Sequence, residues 1–293
     1  MNIALTGGTG FVGSHVLTEL LSHGHEVTTL VRNEDDAITV ATHGAKAAVV
    51  DLYDRTAAAM LLTNFDASVH TASPGDATSA DLDSAMVDAV IDAFAGSGKP
   101  HVQISGLWVY GTNTAITEDS AFNPPAMVSW KQPIEQRLLG AKGVRAIVPI
   151  SSVAYGDGGG GVPGVLLGSP RDEDGNLVML GNGQQHWSTV HVADLADFFR
   201  RALEDDSASG YYVVGNGLSP TVAELTEAAA VAVGAERAVP GSDDEARTRL
   251  GDYFAEVLLL DQGTKAARAR DELGWEPRHA GLTEEFRTGS YRN

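Results

Sequence analysis

Cysteine is absent from the 293-residue chain, which excludes disulfides, a thiolate nucleophile and cysteine-ligated metals. Basic residues are scarce: 20 Lys and Arg stand against 39 Asp and Glu, a net charge of −19. A nucleic-acid binder needs a basic surface to neutralise phosphates, so no nucleic-acid partner is expected, and the charge reads as a solubilising surface. No apolar run approaches the roughly 18 residues of a membrane span, so no membrane partner is expected. Met1 lies directly ahead of the first apolar run, leaving no room for an export signal and predicting a cytoplasmic location. No cluster of histidines and carboxylates has zinc spacing, so no metal is expected.

What the chain does have stands at its start. Ile3, Ala4 and Leu5 form an apolar run, followed at once by Thr6, Gly7, Gly8, Thr9, Gly10, Phe11, Val12 and Gly13. Apolar residues then recur at Val16, Leu17, Leu20 and Leu21 with helical spacing. A buried strand, a glycine turn and a helix are the setting in which such glycines bind a dinucleotide. Gly7 permits the sharp turn, Gly10 the close approach of a pyrophosphate, and Gly13 the close packing of helix on sheet. The free N–H groups and positive end of the helix then face the phosphates.

Alternating patterns continue through the first half. Strands are predicted near 2–6, 26–31, 46–50, 66–71, 100–105 and 144–150, and helices over 11–23, 54–63, 80–95 and 129–141. This alternation predicts an α/β fold: a Rossmann-type, doubly wound parallel sheet with its ligand beyond the carboxyl ends of the strands. Composition changes at the glycine-rich stretch 156–161, expected to be flexible and neither helix nor central strand. Beyond it come a helix near 192–204, a strand at 211–214 and mostly helix from 221, capped by Thr221 or Ser219. The expected division is a nucleotide-binding domain over 1–155 and about 185–215. A smaller, mostly helical substrate domain takes about 156–184 and 216–293.

The end of the second strand carries the cofactor choice. An acidic residue there grips the ribose 2′-hydroxyl, whereas arginine accommodates a 2′-phosphate. Nineteen residues past Gly13 comes Arg32, so NADP(H) is expected rather than NAD. Glu34, Asp35 and Asp36 follow closely and weigh against it.

Taken together, six separated motifs resemble the extended short-chain dehydrogenase/reductase superfamily over nearly the whole chain. They are residues 6–13, Asp51-Leu52, His70-Thr71-Ala72-Ser73, Trp108-Val109-Tyr110-Gly111, the run 190–196 and the run 272–277. The resemblance implies that Asp51 and Leu52 flank the adenine and that Thr71, Ala72 and Ser73 line the cofactor. In relatives the helices after strands 4 and 5 commonly make a dimer, so a homodimer is one assembly the resemblance allows.

The catalytic residues depart from that pattern. Relatives usually carry Tyr-x-x-x-Lys after strand 5, with Ser or Thr upstream, and the tyrosine exchanges the substrate proton. Aligning Glu135-Gln136 with the residues that usually follow puts Lys131 at the lysine and Met127 at the tyrosine. A thioether donates no proton. Ser105 falls one residue before the expected upstream hydroxyl, and Asp81 falls near the usual active-site asparagine. The chain therefore resembles an atypical subgroup whose strand-5 segment reads Ser-Gly-x-Trp-Val-Tyr-Gly and whose members are labelled NAD(P)-dependent epimerases or dehydratases. Candidates to replace the tyrosine are Tyr110, Ser105, Lys131, Tyr155, His186 and His191. Each has a plain structural alternative: a packed turn tyrosine, a strand cap, a solvated lysine, a helix-terminal histidine. Lys131 is also expected to bind the nicotinamide ribose.

Three functions fit: an NADPH-dependent reductase of a carbonyl, imine or activated alkene, an epimerase or dehydratase, and a non-redox enzyme or nucleotide sensor. Arg171 is the only arginine between 146 and 199. A nucleotide diphosphate would want a cationic clamp, so a small, weakly charged substrate is expected.

Overall fold

The protein is described from a computed structural model covering residues 1–292. Its first half alternates strictly: β1 (Asn2–Thr6), α1 (Phe11–Ser22), β2 (Glu26–Val31), α2 (Glu34–Thr42), β3 (Lys46–Val49), α3 (Arg55–Leu62), β4 (Ala67–His70), α4 (Ser79–Phe94), β5 (Pro100–Gln103) and β6 (Ser105–Gly106). Then follow β7 (Asn113–Ile116), α5 (Lys131–Leu139), β8 (Arg145–Ser151), β9 (Val153–Tyr155), α6 (Gly161–Leu167), β10 (Leu177–Val178), β11 (Thr189–His191), α7 (Val192–Glu204) and β12 (Gly210–Val214). The remainder is α8 (Val222–Ala232), β13 (Ala238–Val239), α9 (Asp243–Leu250), α10 (Asp252–Leu258), β14 (Gln262–Thr264), α11 (Ala267–Leu273) and α12 (Leu282–Thr288).

The main sheet runs β12-β8-β5-β4-β1-β2-β3, with β6 added beside β8, and its pairs are parallel. Parallel strands must be covered on both faces. One face is closed by α1, α7 and α11 around Leu5, Leu17, Phe198, Phe199 and Trp275; the other by α3, α4 and α5 around Leu62, Phe94 and Leu138. Strand order reverses between β1 and β4, which opens a crevice beyond Thr6 and His70. A further core joins α6, α8, α10 and α12 around Leu166, Leu225, Leu258 and Phe286. Thr221, rather than Ser219, caps α8 through a capping box with Glu224. Among the described residues no helix is long and apolar enough to cross a membrane.

Two features differ from expectation. The acids after Arg32 form the first turn of α2, where carboxylates favour the positive helix end. Asn33 caps that turn by accepting from the Asp36 N–H. Only Val40 of α2 is fully buried, so no apolar stripe marked the helix. The glycine-rich stretch is pinned rather than flexible. The Gly156 N–H donates to the Tyr291 hydroxyl (2.7 Å), the Gly158 N–H to Ser290 Oγ (2.9 Å), and Asp157 meets His15 Nε2 at 2.8 Å. Gly161 then begins α6.

Candidate functional site

The turn after β1 is built by its glycines. Gly7 takes φ +76°, and a Cβ there would lie 2.6 Å from the Ala72 nitrogen. A Cβ on Gly13 would lie 2.0 Å from the Gly7 carbonyl oxygen, so α1 seats against the turn only because that position has no side chain. On Gly10 the nearest atom would be the Gly7 oxygen at 3.3 Å, leaving its outer side open. Gly10 caps α1 without a side-chain bond, and the first helical turn carries no acid. Its N–H groups are therefore available to an anion.

A groove of about 550 Å³ opens over this turn, at the reversal of strand order. Gly7, Gly8, Thr9 and Gly10 form its floor, Arg32 and Asp51 with Leu52 stand along one side, and Thr71, Ala72 and Ser73 along the other. Phe11, Val12 and Gly13 form the adjoining first turn of α1. Tyr53 and Thr78, not anticipated from sequence, also line the groove and bond each other at 2.9 Å. Size, glycine floor and uncapped helix fit a dinucleotide, and Arg32 stands on the rim of the groove. The arginine side chain is 83% exposed and meets Asp36 at 3.3 Å.

Lys131 begins α5, with its side chain 19% exposed. Its ammonium donates to Asp83 Oδ2 at 3.1 Å and lies 4.5 Å from the Trp130 ring. Asp83 Oδ1 meets His70 Nε2 at 3.2 Å, and His70 Nδ1 meets the Thr6 hydroxyl at 2.6 Å. An ionised carboxylate only accepts, so Nε2 carries the proton toward Asp83. Burial raises the Asp83 pKa, but the His70 hydrogen bond and the Lys131 charge outweigh it and hold the carboxyl below its usual range. Asp81, expected at this place, is exposed. Two residues along a helix is more than half a turn, so Asp83 points inward where Asp81 does not.

Ser105 and Tyr110 belong to a different environment. Both are buried, beside Glu135 and Tyr211, and among the described residues none of these four side chains closes a hydrogen bond. Tyr110 stacks on Phe122 with ring centroids 4.9 Å apart. Burial, reinforced by Glu118 and Glu135, pushes its phenol well above the usual value. Glu135 is 2% exposed; burial raises its pKa, although the charge of Lys131 pulls it down.

Each candidate histidine already has a hydrogen-bond partner. His191 Nδ1 accepts from the Ala193 N–H at 3.2 Å, capping α7, and its ring stacks on His279 at 4.0 Å. Burial lowers its pKa. His186 pairs with Asp261 at 2.8 Å, beside a separate groove of about 500 Å³. The Tyr155 hydroxyl donates to the Ala280 carbonyl at 2.6 Å. Among the described residues no group of histidines and carboxylates is disposed to hold a metal.

Sequence signals for Asp83, His70 and Glu135 existed but were weak. His70 ends a strand, Asp83 interrupts the apolar face of α4, and Glu135 stands one turn beyond Lys131.

Comparison with known proteins places the fold. A protein of Schizosaccharomyces pombe described as uncharacterized is 27% identical over 99% of this chain and 100% of its own. The fold matches UDP-glucose 4-epimerase of Thermotoga maritima, solved with UDP-glucose, at TM-score 0.76 and 20% identity over 99% and 97% of the two chains. It also matches human epimerase family protein SDR39U1, solved with NADPH, at TM-score 0.74 and 21% identity over 99% of each chain. The model of the NAD-dependent epimerase/dehydratase family covers residues 3–215, and the chain belongs to that family.

Proposed function

We propose that the protein is an NADP(H)-dependent oxidoreductase that reduces a carbonyl, imine or activated alkene of a small, weakly charged metabolite. The carrying observation is the groove: a glycine floor and uncapped α1 able to take a pyrophosphate, with Arg32 at the rim where a 2′-phosphate would stand. A guanidinium binds phosphate bidentately, which a carboxylate there would oppose. The NADPH bound to human SDR39U1 supports the same cofactor. When bound, the nicotinamide supplies hydride. This chain's residues hold the phosphates, orient the adenosine through Asp51 and Leu52, and present Lys131 to the reacting end.

Epimerases and dehydratases share this family. Their chemistry requires a base able to deprotonate a substrate alcohol. Met127, one turn before Lys131, offers no such group, so reduction fits these residues better. The test is NADPH oxidation by purified protein against a panel of small carbonyls, imines and enones. Turnover with release of NADP is expected. Cofactor that stays tightly bound while a sugar substrate is epimerised would overturn the reading.

A further inference from the structure

The sequence leaves the proton donor open, and burial narrows the choice. Tyr110 and Ser105 are sealed beside Glu135, away from solvent. His191 is buried and spends Nδ1 on a helix cap; His186 stands at the other groove with Asp261. Tyr155 is buried and donates to the Ala280 carbonyl. Lys131 alone among these candidates is a charged donor with part of its side chain open, its ammonium held between Asp83 and the Trp130 ring.

We propose that Lys131 itself protonates the substrate oxygen, and that Asp83, fixed from behind by His70, is the positioning residue that aims it. This rests on the reductase reading. An ammonium has an ordinary pKa of about 10.4 against about 10 for a phenol, so lysine is as able a donor as the tyrosine it replaces. Asp83 accepts from the ammonium at 3.1 Å and gives it a fixed direction. His70 removes the freedom of that carboxylate by occupying its other oxygen, and the Thr6 hydroxyl holds the far side of the His70 ring. The charged and titratable groups facing Lys131 are Asp83 on α4, His70 on β4 behind it, and Glu135 on the next turn of α5.

In the step, the carbonyl carbon gains hydride from the nicotinamide and the C=O π pair moves to oxygen. The Nζ–H bond breaks with its electrons left on nitrogen, and an O–H bond forms. The neutral amine then takes a proton from water through its exposed side.

The first measurement needs no cofactor. The ammonium ¹⁵N signal of Lys131 in lysine-labelled protein is recorded at one fixed pH in native and variant proteins. Asp83→Asn removes the carboxylate that accepts from Nζ, and His70→Gln loosens that carboxylate from behind; each should broaden the signal, because the ammonium loses its fixed hydrogen bond and exchanges faster with water. An unchanged signal in both folded variants overturns the positioning role. The second is Lys131→Arg, which keeps the charge but donates no proton near neutral pH. The kcat should fall by about 10²–10⁴-fold, the usual loss of a general acid, and NADPH affinity measured beside it separates that loss from any loss of the ribose contact. Turnover within tenfold of native in a folded Lys131→Arg variant overturns the assignment alone. A native protein that oxidises NADPH with no substrate of the panel overturns the reductase reading, and this assignment with it.

Discussion

Arg32 and Asp36 are paired across one turn of chain, Nε to Oδ2 at 3.3 Å, on the rim of the nucleotide groove. The arginine that would meet a 2′-phosphate is thus shared with a carboxylate that repels one. Arg32→Asp should reverse the preference from NADPH to NADH, since a carboxylate accepts from a 2′-hydroxyl. Asp36→Asn should tighten NADPH by up to about fivefold, the worth of one exposed charge contact. Calorimetry with both nucleotides checks both outcomes; equal affinities in the native protein would remove the NADP assignment.

The glycines of the first turn should separate into two kinds. A Cβ on Gly13 collides with backbone at 2.0 Å, so Gly13→Ala should lower the melting temperature and lose nucleotide binding together. Gly10 faces the groove, and its Cβ would meet nothing nearer than 3.3 Å. Gly10→Val should fold with little change in melting temperature yet bind NADPH at least tenfold more weakly, because the side chain occupies the phosphate approach. Thermal melts beside calorimetry distinguish them.

Tyr110 carries a buried hydroxyl with no hydrogen-bond partner among the described residues. Tyr110→Phe removes that uncompensated group and keeps the ring stacked on Phe122. Stability should change by less than about 1 kcal/mol or rise slightly, and turnover should stay within about tenfold. A loss of 10²-fold or more, with NADPH affinity retained, would return Tyr110 to the catalytic site.

Glu135 predicts a pH dependence of stability. Its folded pKa is raised above the ordinary 4.5, so the folded chain holds the proton more tightly than the unfolded one. The contribution is complete below the unfolded value and is lost as pH rises through the folded one. Glu135→Gln lacks this dependence. Its melting temperature relative to native protein should therefore climb with pH from about 4.5 upward. A constant difference between the two proteins would show that Glu135 ionises normally in the fold.

By itself the sequence determined the glycine turn after the first strand, the alternation of strand and helix, and the methionine four residues before Lys131. Each is written in neighbouring residues: apolar runs of strand length, glycines three residues apart, helical spacing after Phe11, and methionine four residues before lysine. Tertiary structure decided which acids and hydroxyls face the site. Whether Asp81 or Asp83 meets Lys131 depends on the rotation of α4 against α5. Whether Tyr110 donates a proton or lies sealed beside Glu135 depends on α5 closing over β6. These contacts join residues far apart in the chain, and burial there raises the pKa of a phenol or a carboxyl above its value in water. Local spacing records which residues are present, whereas packing sets their charge and their access to a substrate.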